Sequence, residues 1–148
     1  MATLFAFLHH VCAFTLVSAV AIEFALIRGE LTLSSARRLQ VTDTVLGMAA
    51  GVLLLVGLAR VFLFEKGADY YWHSHAFLAK FSIFIVIGLV SIVPTLEFLS
   101  WRAPLEKGQV PSISAKQLRL VTAIIHGELF AFVVILLCAA IRARGGWV

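Results

Sequence analysis

The sequence predicts an all-α protein, a single antiparallel bundle of four transmembrane helices. Three observations lead there. Of 148 residues, 61% are hydrophobic and 14% charged, with a mean hydropathy of +1.01; soluble domains run near 45–50% apolar and about 25% charged. The apolar residues gather in four stretches, each near the roughly 20 residues that cross a hydrocarbon core about 30 Å thick. The stretches are continuously apolar, whereas a barrel strand would alternate over about 10 positions. A helix also satisfies its own backbone hydrogen bonds in lipid.

The first span covers about 3–27. Its small residues at Ser18–Ala21 resemble a cleavage site, but no Lys or Arg precedes the apolar run, as a signal n-region requires. The expectation is a retained span. The second covers about 41–64 and contains Gly47 and Gly51 in a GxxxG, a spacing that permits close helix approach. The third covers about 76–99, where Pro94 frees a backbone carbonyl and predicts a kink, with a small polar gap beside Glu97. The fourth covers about 118–141. Short connections make neighbouring helices antiparallel, so residues 1–148 form one membrane domain, with no segment left for a second. There is no internal repeat, low-complexity tract or charge run.

Lys/Arg bias sets the orientation. The first and third loops carry Arg28, Arg37, Arg38, Arg102, Lys107, Lys116 and Arg119; the other side has Arg60, Lys66, Arg142 and Arg144. Seven against four places both termini on the periplasmic side of a bacterial inner membrane. The net charge of +4 is accounted for by these flanks and anionic lipid, without a nucleic-acid partner. Tyr70, Tyr71, Trp72 and Trp101 stand at helix ends, as an interfacial belt requires. Cys12 and Cys138 fall inside spans, with no CxxC or CxxCH, and read as small core residues.

Ionisable groups inside a membrane are expensive and mark function by default. One group lies toward the non-cytoplasmic face: His9 and His10 in the first span, Arg60 near the end of the second, then Glu65, Lys66, Asp69, Tyr70, Tyr71, His73 and His75, and Lys80 early in the third. A thinner group comprises Glu23, Asp43, Glu97, His126 and Glu128. At about 100° per residue, His9 and Glu23 lie about 40° apart on one face, while His126 and Glu128 lie about 200° apart and cannot share a site.

Haem chemistry fits the first group. A b-type haem takes one or two imidazoles from facing helices, here His9 or His10 with His75 or His73. Arg60, Lys66 and Lys80 supply cations for its propionates. The competing readings are structural: His73 and His75 as solvated interfacial side chains, and His9, His10 and His126 as interhelical hydrogen bonders. A metal set of His9, His10, His75 and His126 is also open. Copper could take His9, His10 and Cys12 on the first helix, although the chain has only two methionines.

The residues carry a resemblance. Leu8-His9-His10, Glu23, Gly57-Leu58-Ala59-Arg60-Val61, Glu65-Lys66-Gly67, Tyr70-Tyr71, Phe77 with Lys80, Ser91, Pro94-Thr95 and Trp101-Arg102 are similar to a family of bacterial four-helix membrane proteins known only as a domain of unknown function. The likeness covers nearly the whole chain and brings no activity with it. A fainter likeness is to HemJ-type protoporphyrinogen oxidases and CopD-type copper proteins, small bundles with a histidine early in the first helix. The HemJ type also has a lysine early in the third and is thought to carry haem b. This chain lacks that type's Trp and Pro-Arg motif in the first helix, so the haem site carries over, through His9 or His10 and Lys80, better than the oxidase activity does. The functional expectation is a membrane-embedded b-type haem protein in electron transfer, with a quinone or porphyrin as partner. The alternatives are a non-catalytic subunit of a larger membrane complex or homo-oligomer, and a copper-handling protein.

Overall fold

The computed structural model describes residues 1–64 and 73–144. Its helices are α1 (Ala2–Arg28), α2 (Leu33–Ala59, continued by a π-helical turn, Arg60–Phe64), α3 (His75–Val90), α4 (Ile92–Ser100), α5 (Arg102–Glu106) and α6 (Ala115–Ala143). Among the described residues, four stretches are long and apolar enough to cross a membrane: Thr3–Arg28, Leu33–Leu63, His75–Glu106 and Ala115–Ile141. The third is composite, built from α3, α4 and α5. Glu65, Lys66, Gly67, Asp69, Tyr70, Tyr71 and Trp72 lie outside the described residues.

Local chemistry explains the helix ends. The second helix begins eight residues before the predicted start at 41, because Thr32 and Ser35 form a reciprocal capping box. Ser74 caps α3 by accepting from Phe77 N, and Ser114 accepts from Gln117 N at the start of α6. Beyond α5, Gly108 N donates to Leu105 O and Gln109 N to Pro104 O. This closure needs the left-handed backbone of Gly108 (φ 70°), which glycine adopts without steric cost. The break between α3 and α4 falls at Ser91, where Pro94 cannot donate to the carbonyl of Val90.

The bundle closes as a ring. α1 packs along α2 and against α6, α6 packs on α3 and α4, and α2 packs on α4 but scarcely on α3. The two halves of the bundle therefore differ. Where α4 lies, the ring is shut around Val20, Leu39, Phe98, Trp101, Val121 and Ile125, all nearly inaccessible. Gln40 Nε2 donates to Phe98 O at 2.6 Å and Arg37 Nη2 to Leu105 O at 3.3 Å, tying the first turns of α2 over α4 and α5. That lid buries Trp101, which packs edge-on to Phe98 at 5.0 Å. Trp101 is therefore a core residue and not part of an interfacial belt. Where α3 lies, α2 stands away and the ring is open.

Candidate functional site

The open half contains a cavity of about 520 Å³ between α1, α2, α3 and α6, a size suited to a small ligand or cofactor. Its wall is mostly apolar, with Leu53, Val61, Phe81, Phe84, Phe132 and Ile135 prominent. Four of the residues singled out from the sequence border it together: His9, His10, Arg60 and Lys80. The antiparallel topology brings them to one end, since they sit at the start of α1, the end of α2 and the start of α3.

Each is positioned by its own element. The His9 ring lies against Gly57, where a Cβ atom would come within 3.6 Å of His9 Cε1 and 3.7 Å of Nδ1. A larger side chain at 57 would push the ring away. His10 Nδ1 pairs with Ala6 O at 2.6 Å; a carbonyl only accepts, so Nδ1 carries a hydrogen there. The two rings stand edge-on, 6.1 Å apart. Arg60 begins the π-helical turn, an irregularity that changes helix register and often accompanies functional sites. Lys80 Nζ lies 5.3 Å from the Phe77 ring centroid, within cation–π range. His10, Leu136, Ala139 and Ala143 line the cavity and remain exposed, so its mouth is bordered by α1 and α6.

The other histidines stand apart. His73 and His75 are exposed and do not line the cavity. His126 is exposed on α6, its ring 5.5 Å from that of Phe24. Among the described residues no three His, Cys, Asp or Glu side chains are grouped to hold a metal ion. Neither the set His9, His10, His75 and His126 nor the copper set with Cys12 is assembled. Cys138 is buried and Cys12 half-buried.

A second polar region, only partly anticipated, lies in the closed half. Glu23 from α1, Glu128 from α6 and Asp43 from α2 are 0%, 3% and 6% exposed. Thr95 Oγ1 donates to Asp43 Oδ1 at 2.8 Å. Ser91 Oγ donates to Ile87 O at 2.8 Å and is also paired with Glu128 Oε1. The polar gap expected at the Pro94 kink therefore opens onto Asp43 and Glu128. Glu97 points elsewhere and accepts from Trp101 Nε1 at 3.0 Å. The sequence signal was Ser91 and Thr95, hydroxyls one turn apart in a broken intramembrane helix.

The fold and the cavity define a four-helix integral membrane protein with a ligand-sized space in one half of its bundle. Residues 1–146 match the family described as "Predicted membrane protein (DUF2214)", and the chain belongs to that family. Comparison with curated proteins and with solved structures yields no match, so the fainter likeness to HemJ- and CopD-type proteins has no counterpart there.

Proposed function

We propose that the cavity holds a b-type haem and that the protein carries electrons within the membrane. The observation behind this reading is the convergence of His9, Arg60 and Lys80 on one apolar cavity. The donor set fits the group: an imidazole for iron, leucine and phenylalanine side chains for the porphyrin faces, and two cations for propionates. Bound there, haem would supply one-electron redox chemistry. His9 is the better-placed ligand, because its ring is set against Gly57 at the cavity wall while His10 is tied to its own helix. With His73 and His75 outside the cavity, the chain offers imidazoles from α1 alone. The mouth between α1 and α6, bordered by Leu136 and Ala139, suits an apolar exchange partner such as a quinone or porphyrin arriving through lipid.

The orientation belongs to the same proposal. Arg37, Arg38, Arg102, Lys107, Lys116 and Arg119 are exposed at the closed end, which the positive-inside rule assigns to the cytoplasm of a bacterial inner membrane. The cavity then lies toward the periplasm.

The test is the reduced-minus-oxidised absorption spectrum of the purified protein, with haem quantified as its pyridine haemochrome. The expected result is a b-type α band near one haem per chain. It is lost in His9→Ala and kept in a His73→Ala, His75→Ala double variant. A colourless protein that takes up no added haem would overturn the reading and favour a non-catalytic subunit.

A further inference from the structure

The closed half poses a separate problem of charge. Glu23, Asp43 and Glu128 come from three helices and are all buried, with Glu128 and Asp43 paired to Ser91 and Thr95 one turn apart. Neither carboxyl oxygen of Glu23 has a hydrogen-bond partner among the described residues, nor does Glu128 Oε2, although Glu23 is fully buried. Every Lys and Arg whose side chain is described is exposed, except Arg60 and Lys80, which border the cavity in the other half. The nearby charged groups on each element are turned away or engaged. Arg28 on α1 lies over the Phe24 ring, Arg37 on α2 binds Leu105 O, Glu97 on α4 binds Trp101, and His126 on α6 is exposed. Uncompensated charges in such surroundings cost far more than a fold of this size can bear.

Hydrogen-bond stoichiometry points to the missing partner. Ser91 Oγ is paired with two oxygens, Ile87 O and Glu128 Oε1. A hydroxyl has one hydrogen to donate and lone pairs with which to accept. Both contacts are full hydrogen bonds when Ser91 donates to Ile87 O and Glu128 Oε1, carrying a proton, donates to Ser91 Oγ.

We propose that Glu23, Asp43 and Glu128 form a proton-binding site inside the membrane, with Ser91 as the hydroxyl that accepts from protonated Glu128. The binding step is one proton from water forming an O–H bond at a carboxylate oxygen; no other bond changes and nothing is oxidised. All three carboxyls are buried, Glu23 completely. This site does not depend on what occupies the cavity.

Infrared spectroscopy of the full chain in lipid vesicles tests it. The expected result at neutral pH is a carbonyl-stretching band of protonated carboxylic acid that moves on exchange into deuterated water. Glu128→Gln removes a component of that band, and Ser91→Ala shifts the same component without removing it. A wild-type spectrum containing only ionised carboxylate overturns the proposal, and needs no variant to do so. A band unchanged in Glu23→Gln, Asp43→Asn and Glu128→Gln alike also overturns it. So does a band abolished by sodium chloride but not by potassium chloride at constant pH, since a metal ion would then be the resident.

Discussion

The two halves of the bundle are built from the same four chain passes and differ in one contact. Where α2 meets α4, the interior is solid and carries the three carboxyls. Where α2 stands away from α3, the interior is hollow and bordered by histidine, arginine and lysine. The kink at Ser91 divides them, because it redirects α4 toward α2 while α3 stays on α6. Stability should therefore reside in one half and ligand binding in the other.

The largest effect expected from that division is a packing difference. Phe98 is 1% exposed and touches Trp101, so Phe98→Ala should cost about 3 kcal/mol or more through lost contacts and a new void. Phe81 is half-buried, borders an existing cavity and stacks on Phe77 at 5.8 Å. Phe81→Ala should cost no more than about 1 kcal/mol. Thermal unfolding in one detergent compares the two, and equal losses would erase the proposed division.

A smaller effect tests what holds the shut half shut. Gln40 supplies a second, shorter bond to Phe98 O, which sits in the last turn of α4 and also accepts from Trp101 N at 3.3 Å. Gln40→Ala leaves Phe98 O with only the longer bond from Trp101 N at 3.3 Å, a loss of about 1 kcal/mol. The same change should leave haem content unaltered, which separates it from any substitution in the cavity wall.

The spans were legible because hydropathy alone decides which stretches enter a membrane. The beginning of α2 was not, since Arg37 and Arg38 depress hydropathy where Thr32 and Ser35 already start a helix. Trp101 read as interfacial from its position at a helix end, and only the overlying turns of α2 make it core. His9, His10, Arg60 and Lys80 could be brought together from topology, because depth in the bilayer follows from distance to a helix end. His73 precedes α3 and His75 begins it, and both remain outside the cavity. The convergence of Glu23, Asp43 and Glu128 depends on how each helix is rotated about its axis. Helices that are apolar all round carry no stripe from which that rotation can be read.

Capping gives a further, finer comparison between the halves. Thr32 caps α2 with a full reciprocal box, its oxygen accepting from Ser35 N at 3.1 Å, whereas Ser74 accepts from Phe77 N at 3.4 Å. Thr32→Ala should cost about 1 kcal/mol and Ser74→Ala somewhat less. Thermal unfolding again measures both. The reverse order would mean that the start of α3 is more firmly held than the cavity beside it implies.

The smallest expected effect has the opposite sign. Gly57 lies inside a helix, where glycine is less favourable than alanine by roughly 0.8–1.0 kcal/mol. A methyl group there would meet His9 Cε1 at 3.6 Å, an ordinary van der Waals contact. Gly57→Ala should therefore stabilise the protein by a few tenths of a kcal/mol up to about 1 kcal/mol, with haem content unchanged. Gly57→Leu fills the space in which the ring rests, and should keep the stability while haem content falls at least tenfold. Unfolding temperature and haemochrome yield, measured on both variants, then part company only if His9 must lie against α2 to serve the cavity. Parallel behaviour in the two variants would remove His9 from the site and leave His10 as the α1 ligand.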